Sequence, residues 1–108
     1  MSWHIETLNS KVDEELNSLE PSLKAKFLYI CELLEDFGPN LVGTPHIKPL
    51  GNKLWEIRMR GKSGIARAIY LTLTGQRIMI VHAFIKKTQK TPQSAIHIAL
   101  ERSKEILK

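Results

Sequence analysis

Three side chains in the second half of the chain have types and spacing that suit the binding of a polyanion. Glu56, Arg58 and Arg60 alternate with apolar residues, so on a β-strand they share one face at a separation of about 7 Å. A guanidinium donates two parallel hydrogen bonds to a phosphate, and two arginines at this spacing can bind successive phosphates. The alternative is an exposed sheet face on which Glu56 neutralises one arginine.

Arg67 stands in a row of residues that is otherwise apolar. On a strand it shares its face with Ile65, Ile69 and Leu71, and burying an unpaired charge in such a row is costly. The side chain is therefore expected to be paired, to lie at a strand end or to face a functional concavity. An ion pair with Glu56 is the competing structural explanation.

The next apolar segment, residues 77–87, carries one histidine and two adjacent lysines. On a strand, His82 and Lys86 share one face, and His82 is a candidate acid–base group, although a histidine in an apolar strand is more often a hydrogen-bonded core residue. Lys86 and Lys87 end the strand. Because adjacent cations disfavour protonation, they lower the pKa of a lysine and make it a better proton-transfer group. The alternative is a solvated lysine cluster.

The charge of the chain is strongly polarised along its length. Residues 1–45 carry 3 lysines and 8 acids, whereas residues 46–108 carry 13 lysines or arginines and 3 acids. The two parts therefore have net charges of −5 and +10, which the formal total of +5 conceals. Such asymmetry points to a polyanionic partner, with a merely solubilising surface as the alternative.

The composition excludes several other kinds of site. A single cysteine, Cys31, rules out an intrachain disulfide and a multi-cysteine zinc site, and the histidine spacings predict no metal. The chain has no glycine-rich nucleotide-binding motif and no Gly-x-Ser-x-Gly. No apolar stretch approaches the roughly 18 residues of a membrane span, and no secretory signal is visible. We therefore expect a cytoplasmic protein with no membrane partner.

The helices that must position these residues lie at the two ends of the chain. After a short strand at Trp3–Leu8, Ser10 is the expected N-cap of a first helix, and a second helix starts near Pro21 and stops at Gly38-Pro39. Residues 40–45 are expected to form a loop. Thr91-Pro92 has the features of an N-cap and first helical residue, opening a final helix that reaches about Leu107.

Period-two patterns between these helices predict the sheet. They cover Leu54–Arg60, Ile65–Leu73 and Arg77–Lys87, with turns between them. The predicted fold is a single α+β domain over residues 1–108, in which two N-terminal helices and a C-terminal helix accompany a twisted antiparallel sheet.

Four short segments between His46 and Pro92 keep a distinctive order and spacing. They read Ile-Lys-Pro-Leu, Leu-Trp-Glu-Ile-Arg, Ile-Ala-Arg-Ala-Ile-Tyr and Ile-Val-His-Ala-Phe-Ile-Lys-Lys-Thr-Gln-Lys-Thr-Pro. With them the chain resembles, over nearly its whole length, the HigB-like, phage-derived branch of the RelE/ParE superfamily of type II toxins. The resemblance implies a RelE-like fold and a HigA-like helix-turn-helix antitoxin, through which alone operator DNA is contacted.

The resemblance also implies an activity. Many relatives cut mRNA on the ribosome without a metal or other cofactor: the ribose 2′-OH attacks the adjacent phosphate, leaving a cyclic phosphate and a free 5′-OH. ParE-like relatives inhibit DNA gyrase instead. A third possibility is an inactive toxin that acts as a co-repressor with its antitoxin.

Individual residues receive roles from the same resemblance. Lys48 matches a position that accepts a proton or contacts phosphate, and Arg58 and Arg67 match phosphate-binding positions. Lys86 and Lys87 fall where relatives carry the basic or aromatic residues that act as general acid and orient the substrate. This chain departs from that pattern, because it has lysine where some relatives use histidine and lacks a tyrosine there, so Lys86 is the first choice for the acid. His82 is the second choice for that acid. Further RNA contacts are expected from four residues: Arg60, Lys62, Lys87 and Lys90.

Overall fold

The sheet contains five strands in the described part of the chain. A computed structural model describes residues 2–62, 64–86 and 90–106. The strands are β1 (His4–Thr7), β2 (Ile47–Gly51), β3 (Leu54–Gly61), β4 (Gly64–Leu73) and β5 (Arg77–Lys86), in the spatial order β1-β5-β4-β3-β2. β3 to β5 are antiparallel neighbours, as predicted. β2, which was not among the predicted strands, adds to β3 in antiparallel fashion, whereas β1 joins β5 in parallel.

Four helices accompany the sheet: α1 (Ser10–Asn17), α2 (Pro21–Phe37), α3 (Pro39–Val42) and α4 (Gln93–Ser103). The side chain of Asn9, rather than the predicted Ser10, caps α1 by accepting a hydrogen bond from the Val12 N–H at 3.1 Å. Gly38 ends α2 with a φ of 78°, and a Cβ there would lie 2.5 Å from the Trp3 indole nitrogen. Only glycine fits this close approach.

The predicted loop after α2 and the predicted end of the last helix also differ from the structure. The segment expected to be a loop after α2 contains the short helix α3, followed by a turn. α4 ends at Ser103, and the predicted end near Leu107 lies outside the described residues. None of the helices in the described part of the chain combines the length and apolarity that crossing a membrane requires.

The two faces of the sheet are covered unequally. One face packs on α1 and α2 over a core that includes Val12, Ile30, Leu34, Ile57 and Ile80. On the other face α4 packs Ala95 and Ala99 against Ile69, Leu71 and Val81. Because α4 is short, it covers only part of that face, and the alternating residues of β3 beyond it carry charged groups.

The outer edge of β5 changes its covering half-way along. β1 pairs with Arg77 to Ile80 only. Beyond that point, Arg102 Nη1 donates to the Val81 carbonyl at 2.8 Å, and the Ala83 N–H donates to Glu15 Oε1 at 3.1 Å. Arg102 and Glu15 also form a two-pronged ion pair, with both N–O distances 2.9 Å. Side chains of α1 and α4 thus take the place of a strand here.

Candidate active site

The strand register brings the sequence-predicted cations together on the face that α4 leaves partly open. Lys48 of β2 lies opposite Glu56 of β3, and Arg58 lies opposite Arg67 of β4. Two residues before Arg67 on β4, and on the same face, Ile65 lies opposite Lys86 of β5. Four neighbouring strands therefore contribute to one patch.

A buried carboxylate lies at the centre of this patch. Glu56 and Arg67 are each only 2% exposed. Glu56 Oε2 lies 3.5 Å from Arg67 Nε and 3.8 Å from Arg58 Nε, and the Thr91 hydroxyl donates a hydrogen bond to Glu56 Oε1. Glu56 therefore holds two arginines and the segment before α4 in fixed positions.

Arg67 satisfies both explanations that its place in an apolar row suggested. It pairs with Glu56, its Nη1 donates to the Ala66 carbonyl at 3.0 Å, and its side chain also lines a cavity. Its Nε makes no hydrogen bond within the described residues. Burial lowers the pKa of Arg67; the charge of Glu56 opposes this and those of Arg58 and Arg60 add to it, but a guanidinium stays protonated in either case.

Lys86 is buried at the edge of the same patch. It is 5% exposed, and burial, followed by the positive charge of Arg67, lowers its pKa. Glu56 opposes this shift, whereas Arg58 and Lys48 add to it. The lowered pKa of Lys86 agrees with the expectation from the sequence, but its cause differs. Within the described part of the chain, burial and Arg67 lower this pKa, whereas the sequence attributed the effect to a neighbouring lysine. Lys87, to which the sequence assigned that effect and an RNA contact, lies outside the described residues.

Two cavities flank the central carboxylate. The first, of about 280 Å³, is lined by Lys48, Glu56, Thr91, Lys90 and the start of α4. The second, of about 240 Å³, is lined by Arg58, Arg60 and Arg67 together with Lys26, Pro45, His46 and Met59. Lys62 is exposed just beyond β3 and lines neither cavity.

His82 belongs to a different cluster. Its Nδ1 lies 3.0 Å from Glu15 Oε1 and 3.4 Å from Arg102 Nη1, and its ring stacks on Phe84 with centroids 5.1 Å apart. It lines neither of the two cavities. The geometry is that of a hydrogen-bonded core histidine, held between α1 and α4.

Three residues of this site were not found from the sequence. Thr91 was expected to cap α4, but the N-cap is Pro92, without a side-chain cap, and the Thr91 hydroxyl binds Glu56 instead. Lys26 and His46 line the second cavity although they come from α2 and the turn before β2. No local pattern links these residues to the strands, because the contacts depend on how distant segments pack.

Comparison with known proteins identifies the family of the chain. A family profile described as "Phage derived protein Gp49-like (DUF891)" matches residues 14–104. The chain belongs to this Gp49-like family. No curated protein sequence matches the chain at a significant level.

Solved structures show that this Gp49-like protein has the fold of RelE. A mutant of the E. coli toxin RelE in the free state matches with a TM-score of 0.66 and 12% identity, covering 94% of this chain and 98% of the other. A chain of the archaeal RelE–RelB complex from Pyrococcus horikoshii matches with a TM-score of 0.57 and 22% identity, covering 79% of this chain and 96% of the other. The family and fold predicted from the sequence are confirmed.

Proposed function

We propose that this Gp49-like protein is the toxin of a type II toxin–antitoxin pair and cleaves mRNA on the ribosome. The observation that carries the proposal is the convergence of Lys48, Arg58, Arg67 and Lys86 from four neighbouring strands on one face of the sheet. Cations fixed in advance where charge develops on a phosphate stabilise the transition state without reorganisation. The RelE fold supports the same reading.

In the proposed reaction the RNA supplies its own nucleophile. Lys48, as the neutral amine, accepts the proton of the ribose 2′-OH as the O2′–P bond forms, and Arg58 and Arg67 hold the charge on the phosphate. The P–O5′ bond breaks, its electron pair goes to O5′, and Lys86 donates a proton to that oxygen. The products are a 2′,3′-cyclic phosphate and a free 5′-OH.

The two buried residues Lys86 and Glu56 have different roles in this scheme: Lys86 donates a proton, and Glu56 orients the arginines. A lysine whose pKa is lowered by burial and by Arg67 releases its proton more readily to a leaving oxygen. Glu56 lies against the arginines and is hydrogen-bonded by Thr91, so it orients them. In this scheme Glu56 is a positioning residue.

The partner in the proposal is an antitoxin. RelE of Pyrococcus horikoshii has been solved in a complex with RelB, which supports a protein antitoxin for this chain too. The sequence resemblance specifies a HigA-like helix-turn-helix protein, with operator DNA contacted only through it. The proposed setting is the cytoplasm, where ribosome and mRNA are found.

The test is to map mRNA 5′ ends in cells that express the protein. New ends inside codons are expected for the wild type. Arg58→Ala and Lys86→Met should reduce them about 10²–10³-fold. Arg77→Ala is the matched control, because Arg77 pairs with Glu6 at 2.7 Å at the far end of the sheet and should leave cleavage unchanged.

The same experiment separates the alternatives. Growth arrest with altered DNA supercoiling and no new mRNA ends would replace the proposal with gyrase inhibition. An absence of any growth effect would favour a co-repressor. If cleavage persists in both site variants while their folding is intact, the assignment of the site is wrong.

A further inference from the structure

The second cavity extends the basic patch around the edge of the sheet. β2 begins at Ile47, opposite Ile57, and the last backbone bond on this side runs from the Arg58 N–H to the His46 carbonyl at 2.8 Å. Within the described residues, no strand pairs with β3 on its β2 side beyond that point, although β4 pairs with the other side up to Gly61. The edge is open there, and Lys26 of α2 reaches it from the opposite side of the sheet.

The lining of this cavity is suited to an anion. Lys26, Arg58, Arg60 and Arg67 are all cationic, and His46 adds ring nitrogens. None of the described lining residues is acidic, unlike the first cavity, which contains Glu56. The volume of about 240 Å³ leaves room for a phosphate group.

An aromatic ring contacts two of the three lining residues that do not come from the strands. Lys26 Nζ lies 5.3 Å from the centroid of the Tyr29 ring, within the range of a cation–π interaction. His46 packs against the same ring, with centroids 5.9 Å apart and an interplanar angle of 76°. Tyr29 thereby places Lys26 and His46 together beside Arg58.

We propose that the cavity lined by Lys26, His46 and Arg60 binds the backbone phosphate of the RNA next to the scissile phosphate. This subsite rests on the proposed function, since Arg58 and Arg67 line the cavity and also hold the scissile phosphate. The RNA strand then crosses the open edge of β3 towards α2. Lys26 is one of only 3 lysines in the acidic first 45 residues. In the folded protein it lies with the arginines of the basic second part of the chain.

The test measures binding of single-stranded RNA as a function of salt. Fluorescence anisotropy with a labelled 2′-O-methyl hexaribonucleotide, which cannot be cleaved, gives the slope of log K against log salt for the purified full chain. Each phosphate contact to single-stranded RNA contributes about 0.7 to that slope. Lys26→Ala should reduce the slope by about 0.7 and weaken binding about fivefold at 0.1 M salt, whereas Lys26→Arg should retain the wild-type slope.

Lys24→Ala is the matched control. Lys24 lies on the same helix and lines a different cavity, with Asp13 and Phe27, so its removal changes the net charge equally and should leave the slope unchanged. Equal slopes for the wild type and Lys26→Ala would overturn the subsite, as would an equal decrease in both alanine variants. In either case, new mRNA 5′ ends in cells that express the wild type would still support the proposed function. If the wild type does not bind the RNA, the subsite fails; if it also cuts no mRNA in cells, the proposed function fails with it.

Discussion

Replacing Glu15 with glutamine should destabilise the protein in a manner that depends on pH. Burial alone raises the pKa of this carboxyl, but hydrogen bonds from Arg102, the Ala83 N–H and His82 outweigh it and hold the pKa at about 2, against an ordinary value of 4.5. At about 1.4 kcal/mol per pH unit, this difference corresponds to about 3 kcal/mol of stability at neutral pH. Glu15→Gln keeps the size of the side chain and removes its charge.

The sign of the pH dependence follows from the lowered pKa. The contribution of Glu15 is fully present above the unfolded-state pKa near 4.5 and is lost as the pH falls towards 2. In urea unfolding followed by circular dichroism, Glu15→Gln should therefore be about 3 kcal/mol less stable than the wild type at pH 7, and the difference should shrink by about half at pH 3.

Glu14→Gln is the control for this measurement, because Glu14 is exposed on the same helix and should change stability by less than about 0.5 kcal/mol. A Glu15→Gln variant as stable as the wild type at pH 7 would refute the reasoning. So would a deficit of equal size at both pH values.

Three further side chains give independent tests. Glu56→Gln leaves the buried Arg67 without its counter-charge, so the free energy of unfolding in urea should fall by about 3 kcal/mol; an unchanged value would mean that the ion pair contributes nothing. The Tyr70 hydroxyl is buried without a hydrogen-bond partner in the described part of the chain, so Tyr70→Phe should leave the melting temperature unchanged or raise stability by up to about 1 kcal/mol, and a lower melting temperature would contradict this. Burial, aided by Glu35, raises the pKa of the Cys31 thiol to about 12, so a thiol reagent at pH 8 should label it only after unfolding, and rapid labelling of the folded protein would disprove its burial.

The alternation of residues in β3 predicted its two faces correctly. Ile57 and Met59 are buried on the face of α1 and α2, and Glu56 and Arg58 lie on the other face. Arg67 was conspicuous for the same reason, since a charge in an apolar row requires a partner. These features could be predicted because the side-chain period of a strand is a local property.

The remainder depends on contacts between distant segments. The parallel pairing of β1 with β5 cannot be read from the alternation within either strand. The hydrogen bond from Thr91 to Glu56 and the position of Lys26 beside Arg58 arise from the packing of α4 and α2 on the sheet. The local sequence favoured Thr91 as the N-cap of α4, but its hydroxyl donates to Glu56 of the distant strand β3 instead.

The Glu15–Arg102 ion pair determines how β5 can meet other molecules. An uncovered strand edge is a template on which another chain can add a strand, and proteins block such edges to avoid aggregation. Here Glu15 occupies the donor of Ala83 and Arg102 the acceptor of Val81, so β5 has no free ladder at this point. An extended segment therefore cannot add to β5 at Val81 and Ala83, whose outward backbone groups are already bonded.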